Sequence, residues 1–178
     1  MSRDRSALLA PSLVAAVLLA SAAELATPAL AADPQPSSAP AAAVEVGGSS
    51  PLHWHPPGEE QVLADREGKP ILYFFTADWC APCHQMKRTL FADPEKASHI
   101  AASFVPVEVQ DTRRETGANA PAVDEAQERY AVNSLPTLVV ALPDGSEVAQ
   151  QRGYSGTVRT WLWLQQQAAA AEERLDDR

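Results

Sequence analysis

The chain has 178 residues, a formal net charge of −9 at pH 7 and only two cysteines. The acidic balance argues against nucleic acid or an anionic membrane surface as a partner, and two cysteines exclude a small domain held together by several disulfides. Hydrophobic residues make up 46% of the chain, so the fold must rest on its apolar core.

The N-terminal segment has the pattern of a secretory signal peptide. Arg3 and Arg5 precede an uncharged apolar run over residues 8–23, and residues 29–31 form an Ala-Leu-Ala site. Because a membrane-spanning helix needs about 20 apolar residues, we predict cleavage after Ala31 and export to the periplasm. An uncleaved membrane anchor with the same domain facing the periplasm is the alternative.

The rest of the chain divides by composition into a linker, a domain and a tail. Residues 32–50 are rich in Pro, Ala, Ser and Gly without periodicity, which indicates a flexible linker. Residues 51–173 have the size of one globular domain. Residues 174–178 are predicted to form a charged tail.

Within the domain, the hydrophobic pattern predicts alternating helices and strands. The first half is predicted to contain a helix over 59–66, a buried strand over 71–75, helices over 82–90 and from an Asp93 N-cap to 102, and a strand over 104–109. The second half is predicted to contain a loop over 110–122, a helix over 123–130, strands over 137–142 and 147–151, and a final helix capped by Ser155 or Thr157. The inner face of that helix is predicted to carry Val158, Trp161, Leu162, Gln165, Ala168 and Ala169. This order predicts an α/β fold in which helices flank a central mixed β-sheet on both faces.

The only two cysteines, Cys80 and Cys83, lie directly after a predicted buried strand and a tryptophan. A disulfide across so short a loop stabilises a fold by roughly 2 kcal/mol, against about 3 for a fifteen-residue loop. Redox chemistry is therefore the better reason for the pair, because two such thiols can exchange electrons with a disulfide. The sequence predicts a redox-active dithiol.

Several segments of the chain resemble thioredoxin-fold proteins. Residues 76–83 resemble their active site, and Leu135-Pro136-Thr137 before a buried strand resembles their cis-proline loop. More narrowly, residues 59–164 resemble the C-terminal periplasmic domain of DsbD-type thiol:disulfide interchange proteins and stand-alone relatives. That narrower resemblance rests on residues 68–70, 77–80, 86–94, 143–145 and 152–154.

The resemblance implies roles for the residues around the dithiol. Cys80 begins a helix, where free backbone N–H groups favour a thiolate, and it attacks the substrate disulfide. Cys83 resolves the mixed disulfide. The substrate-docking surface is implied for Trp79, Pro82, Leu135 and Pro136, with a cis peptide before Pro136.

His84 and Lys87 are candidates for tuning the thiolate electrostatically. The plainer interpretations, which we favour, are a partly exposed helix side chain for His84 and a solvated surface lysine for Lys87.

The chain departs from the resembled family at three places. Phe74 stands where thioredoxins carry a buried acid, six residues before the first active-site cysteine. Lys87 stands where DsbD-type domains can carry an acid. We therefore expect resolution by Cys83 to be slower or to use water as the proton acceptor. Residues 113–121 exceed what compact thioredoxins need and are interpreted as a surface insertion.

The function implied by the resemblance is that of a periplasmic reductase of protein disulfides, acting as a monomer. A membrane thiol donor of DsbD or CcdA type would supply its electrons. No other cofactor is expected, and the chain has no Gly-rich phosphate loop. The alternatives are a disulfide-forming oxidant or isomerase, and a non-catalytic module that binds clients or metal.

A metal site is the less favoured interpretation of the cysteines and histidines. A zinc site would need two of His53, His55, His84 and His99, whose spacing forms no finger pattern. The His53-Trp54-His55 segment could bind copper, but such a pair is more often incidental. We predict no metal.

Overall fold

The computed structural model describes residues 51–178, so the predicted signal peptide and linker lie outside the described residues. Four strands form one mixed sheet in the order β2-β1-β3-β4. Their bounds are Ile71–Ala77 for β1, Val105–Asp111 for β2, Thr137–Ala141 for β3 and Glu147–Arg152 for β4. Strand β2 runs parallel to β1, whereas β3 runs antiparallel to β1 and to β4.

The helices connect these strands and cover both faces of the sheet. Their bounds are Glu60–Glu67 for α1, Ala81–Met86 for α2, Pro94–Ser103 for α3, Arg113–Thr116 for α4, Pro121–Arg129 for α5 and Thr157–Asp176 for α6. Helix α2 continues without a break into a π-helical segment, Lys87–Phe91. Helices α2, α3 and α6 contribute to one buried apolar cluster, and α1 and α5 to the other. The predicted α/β fold is confirmed.

Strand β1 contributes side chains to both apolar clusters because both of its faces are buried. Leu72 and Phe74 belong to one cluster, and Tyr73 and Phe75 to the other. A strand with a neighbour on each side and helices on both faces reads as a continuous apolar run. The predicted buried strand is confirmed, and the site-bearing segment follows directly from this rigid element.

The predicted loop over 110–122 is partly wrong. Its residues include the short helix α4, and α5 already begins at Pro121. Proline fits the first turn of a helix because the missing N–H would have no intrahelical partner there. Residues 112–120, referred to below as the β2–α5 segment, therefore form an ordered connection.

The predicted inner face of the last helix is partly wrong, and its predicted cap is wrong. Val158 and Leu162 are 75% and 59% exposed, whereas the buried positions are Thr160, Leu164 and Ala171. The apolar pattern misses Thr160 because its hydroxyl is polar, yet that hydroxyl accepts a hydrogen bond from Gln151 and so can be buried.

Of the other predicted inner positions, Trp161 and Ala168 are half-buried and pack against the core, while Gln165 and Ala169 are exposed. Gly156 takes the N-cap position without a side-chain cap. Helix α6 also runs on to Asp176, so most of the predicted tail is helical.

The N-cap of α3 is confirmed and gives a pH-dependent prediction. The Asp93 carboxylate accepts hydrogen bonds from the N–H groups of Glu95 and Lys96 and from the Lys96 ammonium. These bonds, led by the one from the Lys96 side chain, hold the pKa of Asp93 below its usual value. A lowered folded-state pKa adds stability above the unfolded-state pKa, and that stability is lost as the pH falls through the folded-state pKa.

We therefore expect Asp93→Asn, which keeps a capping oxygen but no charge, to lower the melting temperature at neutral pH. The difference from the unmodified protein should shrink as the pH is lowered to about 3. Thermal unfolding across that range measures it, with Asp65→Asn on an exposed position of α1 as the control. A difference that stays constant with pH would contradict the ionic contribution.

Candidate active site

Cys80 and Cys83 are joined by a disulfide where β1 passes into α2. Their Cα atoms lie 5.2 Å apart, and Cys80 is the N-cap of α2 in an extended backbone conformation. The N–H of Cys83 points at the Cys80 sulfur across 3.3 Å. Cys83 has no exposed surface, whereas Cys80 keeps 3%. Of the two, Cys80 is thus the residue that a partner can reach.

Backbone bonds and one imidazole fix the turn that carries Cys80. The Cys80 N–H donates to Ala77 O across 3.1 Å, and the His84 N–H donates to Cys80 O across 3.2 Å. His84 Nε2 lies 2.7 Å from Asp78 O, and because a carbonyl only accepts, Nε2 carries the proton. The structure therefore gives the half-buried His84 a role in closing the turn.

A groove begins at the tryptophan beside the disulfide. Trp79 is 43% exposed and, together with Leu135, lines a cavity of about 210 Å³. The other lining residues come from the end of β2, from α5 and from the segment before β3: Asp111, Gln127, Val132, Asn133 and Ser134. The residue before Cys80 thus lines a surface groove.

The two prolines predicted for this surface lie outside the groove lining. The Leu135–Pro136 peptide is cis, as the resemblance implies. Pro136 is buried, and its carbonyl accepts a hydrogen bond from the Gly153 N–H across 2.7 Å. Pro82 is exposed in the first turn of α2. Of the predicted docking residues, the structure brings Trp79 and Leu135 together in one groove.

The expectation of a solvated Lys87 is wrong. Its ammonium forms an ion pair with Glu108 of β2 and lies 5.7 Å from the centroid of the Phe74 ring. The side chains of Lys87 and Glu108 are only 32% and 23% exposed. Glu108 was missed by the sequence analysis, although it sits beside Phe74 in the parallel register of β1 and β2.

Phe74 takes the position of the family's buried acid as a fully buried aromatic residue. Its ring packs against Trp54 and Phe91 at centroid distances of 5.6 and 5.1 Å. An aromatic ring accepts no proton from a thiol. Position 74 therefore supplies packing where the resembled proteins have a proton acceptor.

Two further residues near the disulfide, Gln110 in β2 and Arg114 in α4, were missed by the sequence analysis. Gln110 Nε2 donates to Asp78 Oδ1 across 2.5 Å. The guanidinium carbon of Arg114 lies 3.6 Å from the centroid of the Trp79 ring. The predicted strand order could have placed both residues at the same edge of the sheet as Trp79, because the carboxyl ends of adjacent parallel strands meet there, but it does not specify their contacts.

The histidines of the candidate metal sites lie in different surroundings. The His53 and His55 rings are 4.8 Å apart, while the His99 ring packs on Trp161. Residues 51–178 contain no group of three or more His, Cys, Asp and Glu side chains placed to hold a metal ion. No helix in the same range is long and apolar enough to cross a membrane.

Comparison with known proteins shows where this arrangement recurs. A thioredoxin-like domain model matches residues 58–168. The thiol:disulfide interchange protein DsbD of Photorhabdus laumondii is 25% identical over 93 residues, which is 52% of this chain and 15% of that protein. Bovine nucleoredoxin is 26% identical over 109 residues, 53% of this chain and 25% of that protein. The chain thus spans a quarter or less of these two relatives' lengths.

A solved structure extends the likeness to three dimensions. A thioredoxin from Thermus thermophilus superposes with a TM-score of 0.54 and 27% identity, covering 65% of this chain and 85% of that one. The matched sequence range contains the Cys80–Cys83 disulfide and all four strands of the sheet.

Proposed function

Because the chain belongs to the thioredoxin-like domain family, we propose that it is a periplasmic thiol–disulfide oxidoreductase that reduces disulfides of other proteins. The observation that carries the proposal is the disulfide at the start of α2, of which only Cys80 has exposed surface. The likeness to DsbD, a thiol:disulfide interchange protein, supports the same chemistry.

The proposed reaction needs only the two cysteines. In the reduced protein the Cys80 thiolate attacks one sulfur of the substrate disulfide, forms a mixed disulfide and releases the other substrate sulfur as a thiolate. The Cys83 thiolate then attacks Cys80 Sγ, restores the Cys80–Cys83 disulfide and releases the second substrate thiolate. Two electrons pass to the substrate, which takes up two protons to become a dithiol.

The surroundings of Cys80 favour the first step. The N-terminal end of a helix presents unsatisfied N–H groups and a partial positive charge, both of which stabilise a thiolate. The Cys83 N–H already points at the Cys80 sulfur. The groove lined by Trp79 and Leu135 would hold the substrate chain beside that sulfur.

The partners and location belong to the same proposal. The predicted signal peptide over residues 1–31 would export the domain to the periplasm. After each turnover the disulfide must be reduced again, and a membrane thiol donor of DsbD or CcdA type would supply the two electrons. The substrates would be disulfides of periplasmic proteins.

The reduction potential of the Cys80–Cys83 pair tests the proposed direction. We expect a value near that of thioredoxin, about −270 mV or lower, in glutathione and dithiothreitol redox buffers with thiol trapping. The doubly substituted Cys80→Ser, Cys83→Ser chain is the control for nonspecific trapping. A value near that of DsbA, about −120 mV, would overturn the reducing direction and indicate a disulfide donor. Failure to exchange with any disulfide would indicate a binding module.

A further inference from the structure

The β2–α5 segment, residues 112–120, lies against the surface that flanks the disulfide. Strands β1 and β2 are parallel and in register, and Ala77 at the end of β1 pairs with Asp111 at the end of β2. The chain leaves both strands at the same edge of the sheet. On one side Trp79 follows, and on the other Arg114, whose guanidinium carbon lies 3.6 Å from the centroid of the Trp79 ring.

Hydrogen bonds hold the β2–α5 segment in place. The Thr112 N–H donates to Asn119 Oδ1 across 2.8 Å, and Asn119 Nδ2 donates to Asp124 Oδ1 across 2.9 Å. The Arg113 guanidinium donates to the same carboxylate oxygen across 2.6 Å. Asn119 first, and then Arg113, lower the pKa of Asp124, so this carboxylate is ionised at neutral pH. The charge of Arg113 is therefore paired with that of Asp124, and this ion pair joins the β2–α5 segment to α5.

The guanidinium of Arg114 has no such carboxylate. Across residues 51–178, the contact of its side chain is with the Trp79 ring, and no ion pair or hydrogen bond includes it. A guanidinium carries five N–H donors in a planar fork. Stacking on an indole leaves the edges of that fork free to donate in the plane. Arg114 thus presents a fixed, unneutralised cation at the rim of the site.

Two acidic side chains at the same edge, Asp78 and Asp111, accept hydrogen bonds. The Asp78 carboxylate accepts from Gln110 across 2.5 Å. The Asp111 carboxylate accepts from the Arg113 N–H across 2.9 Å and from Gln127 across 3.0 Å. Among residues 51–178, neither of these acids forms an ion pair with Arg114. A lysine or arginine of a partner chain is the competing ligand that they would attract.

We propose that Arg114 binds a carboxylate of the incoming chain, so that this protein prefers disulfides flanked by aspartate or glutamate. The proposal rests on the proposed function, since it names the substrate class of the same site. Arg114 does not line the groove between Trp79 and Leu135, so a substrate chain can occupy the groove while its acidic neighbour reaches the guanidinium. A fork of donors fits a carboxylate with two parallel hydrogen bonds.

The chain as a whole carries a net charge of −9, which repels an acidic partner at long range. An acidic partner gains from Arg114 only at short range, once it is within the groove. Charges at the rim of an interface act mainly on association and are screened by salt. The preference should therefore weaken as the Debye length falls from about 10 Å at 0.1 M salt to about 3 Å at 1 M.

Three disulfide peptides that differ only beside their cysteines test the proposal. They carry glutamate, glutamine or lysine at the flanking positions, and each is mixed with the reduced full chain without another reductant. Thiol trapping then gives the rate constant at which the peptide disulfide is reduced and the Cys80–Cys83 disulfide forms. We expect the glutamate peptide to react about three- to fivefold faster than the glutamine peptide at 0.1 M salt.

The variants separate recognition from folding. Arg114→Gln should make the glutamate and glutamine peptides react at equal rates, and Arg114→Lys should keep part of the preference. Arg66→Gln, an exposed position at the end of α1, makes the same change in net charge and should keep the full preference.

Equal rates for all three peptides, a faster lysine peptide, or an undiminished preference in Arg114→Gln would overturn the role of Arg114 and leave the proposed function standing. No reaction with any peptide would overturn both.

Discussion

Replacing Cys83 by serine is expected to abolish multiple turnover and to trap partner proteins on Cys80 as mixed disulfides. The first attack needs only the Cys80 thiolate, whereas release of the partner needs a second thiolate at position 83. Since the backbone N–H of Cys83 supplies the hydrogen bond to the Cys80 sulfur, the serine variant keeps that donor. When two catalytic groups act together in one reaction, the loss of either lowers turnover by about 10³-fold or more.

The measurement is catalytic reduction of a protein disulfide, together with non-reducing electrophoresis for the trapped complexes. Cys80→Ser is the matched control, because Cys83 has no exposed surface and should form no complexes of its own. Turnover within about tenfold of the unmodified protein in Cys83→Ser would contradict the two-cysteine mechanism.

The parts of the fold that follow from local pattern are predictable from the sequence. Residues 71–75 are apolar without interruption, and this alone places the strand between two covered faces. Asp93 followed by Pro94 sets the start of α3 because both residues act within one turn. The two cysteines are three residues apart, so their proximity needs no knowledge of the tertiary structure.

Side-chain contacts between distant segments are where the sequence analysis fails. Lys87 and Glu108 form an ion pair across 21 positions of sequence, and Arg114 reaches Trp79 from the segment after β2. Both contacts depend on the register between β1 and β2, which hydrophobic pattern does not specify. The buried face of α6 fails for a different reason, because the hydroxyl of Thr160 is satisfied by a residue of another element.

Replacing Phe74 by alanine is expected to lower the free energy of unfolding by about 3–5 kcal/mol. The ring is fully buried, packs on Trp54 and Phe91, and has the Lys87 ammonium 5.7 Å from its centroid. Its removal leaves a cavity that β1, buried on both faces, cannot close by moving. Because small domains are stable by only about 5–15 kcal/mol, the loss is large.

Urea unfolding of the oxidised protein measures this loss, with Val62→Ala as the control because Val62 is 72% exposed. Phe74→Leu keeps most of the apolar volume, so its loss of unfolding free energy should lie between those of Val62→Ala and Phe74→Ala. A buried carboxylic acid at this position would have to be desolvated whenever it ionised, which is costly without a partner. Phe74 replaces that cost with aromatic packing on Trp54 and Phe91. If Phe74→Ala lowered the free energy of unfolding by less than about 1 kcal/mol, packing of the Phe74 ring would not be an important source of stability.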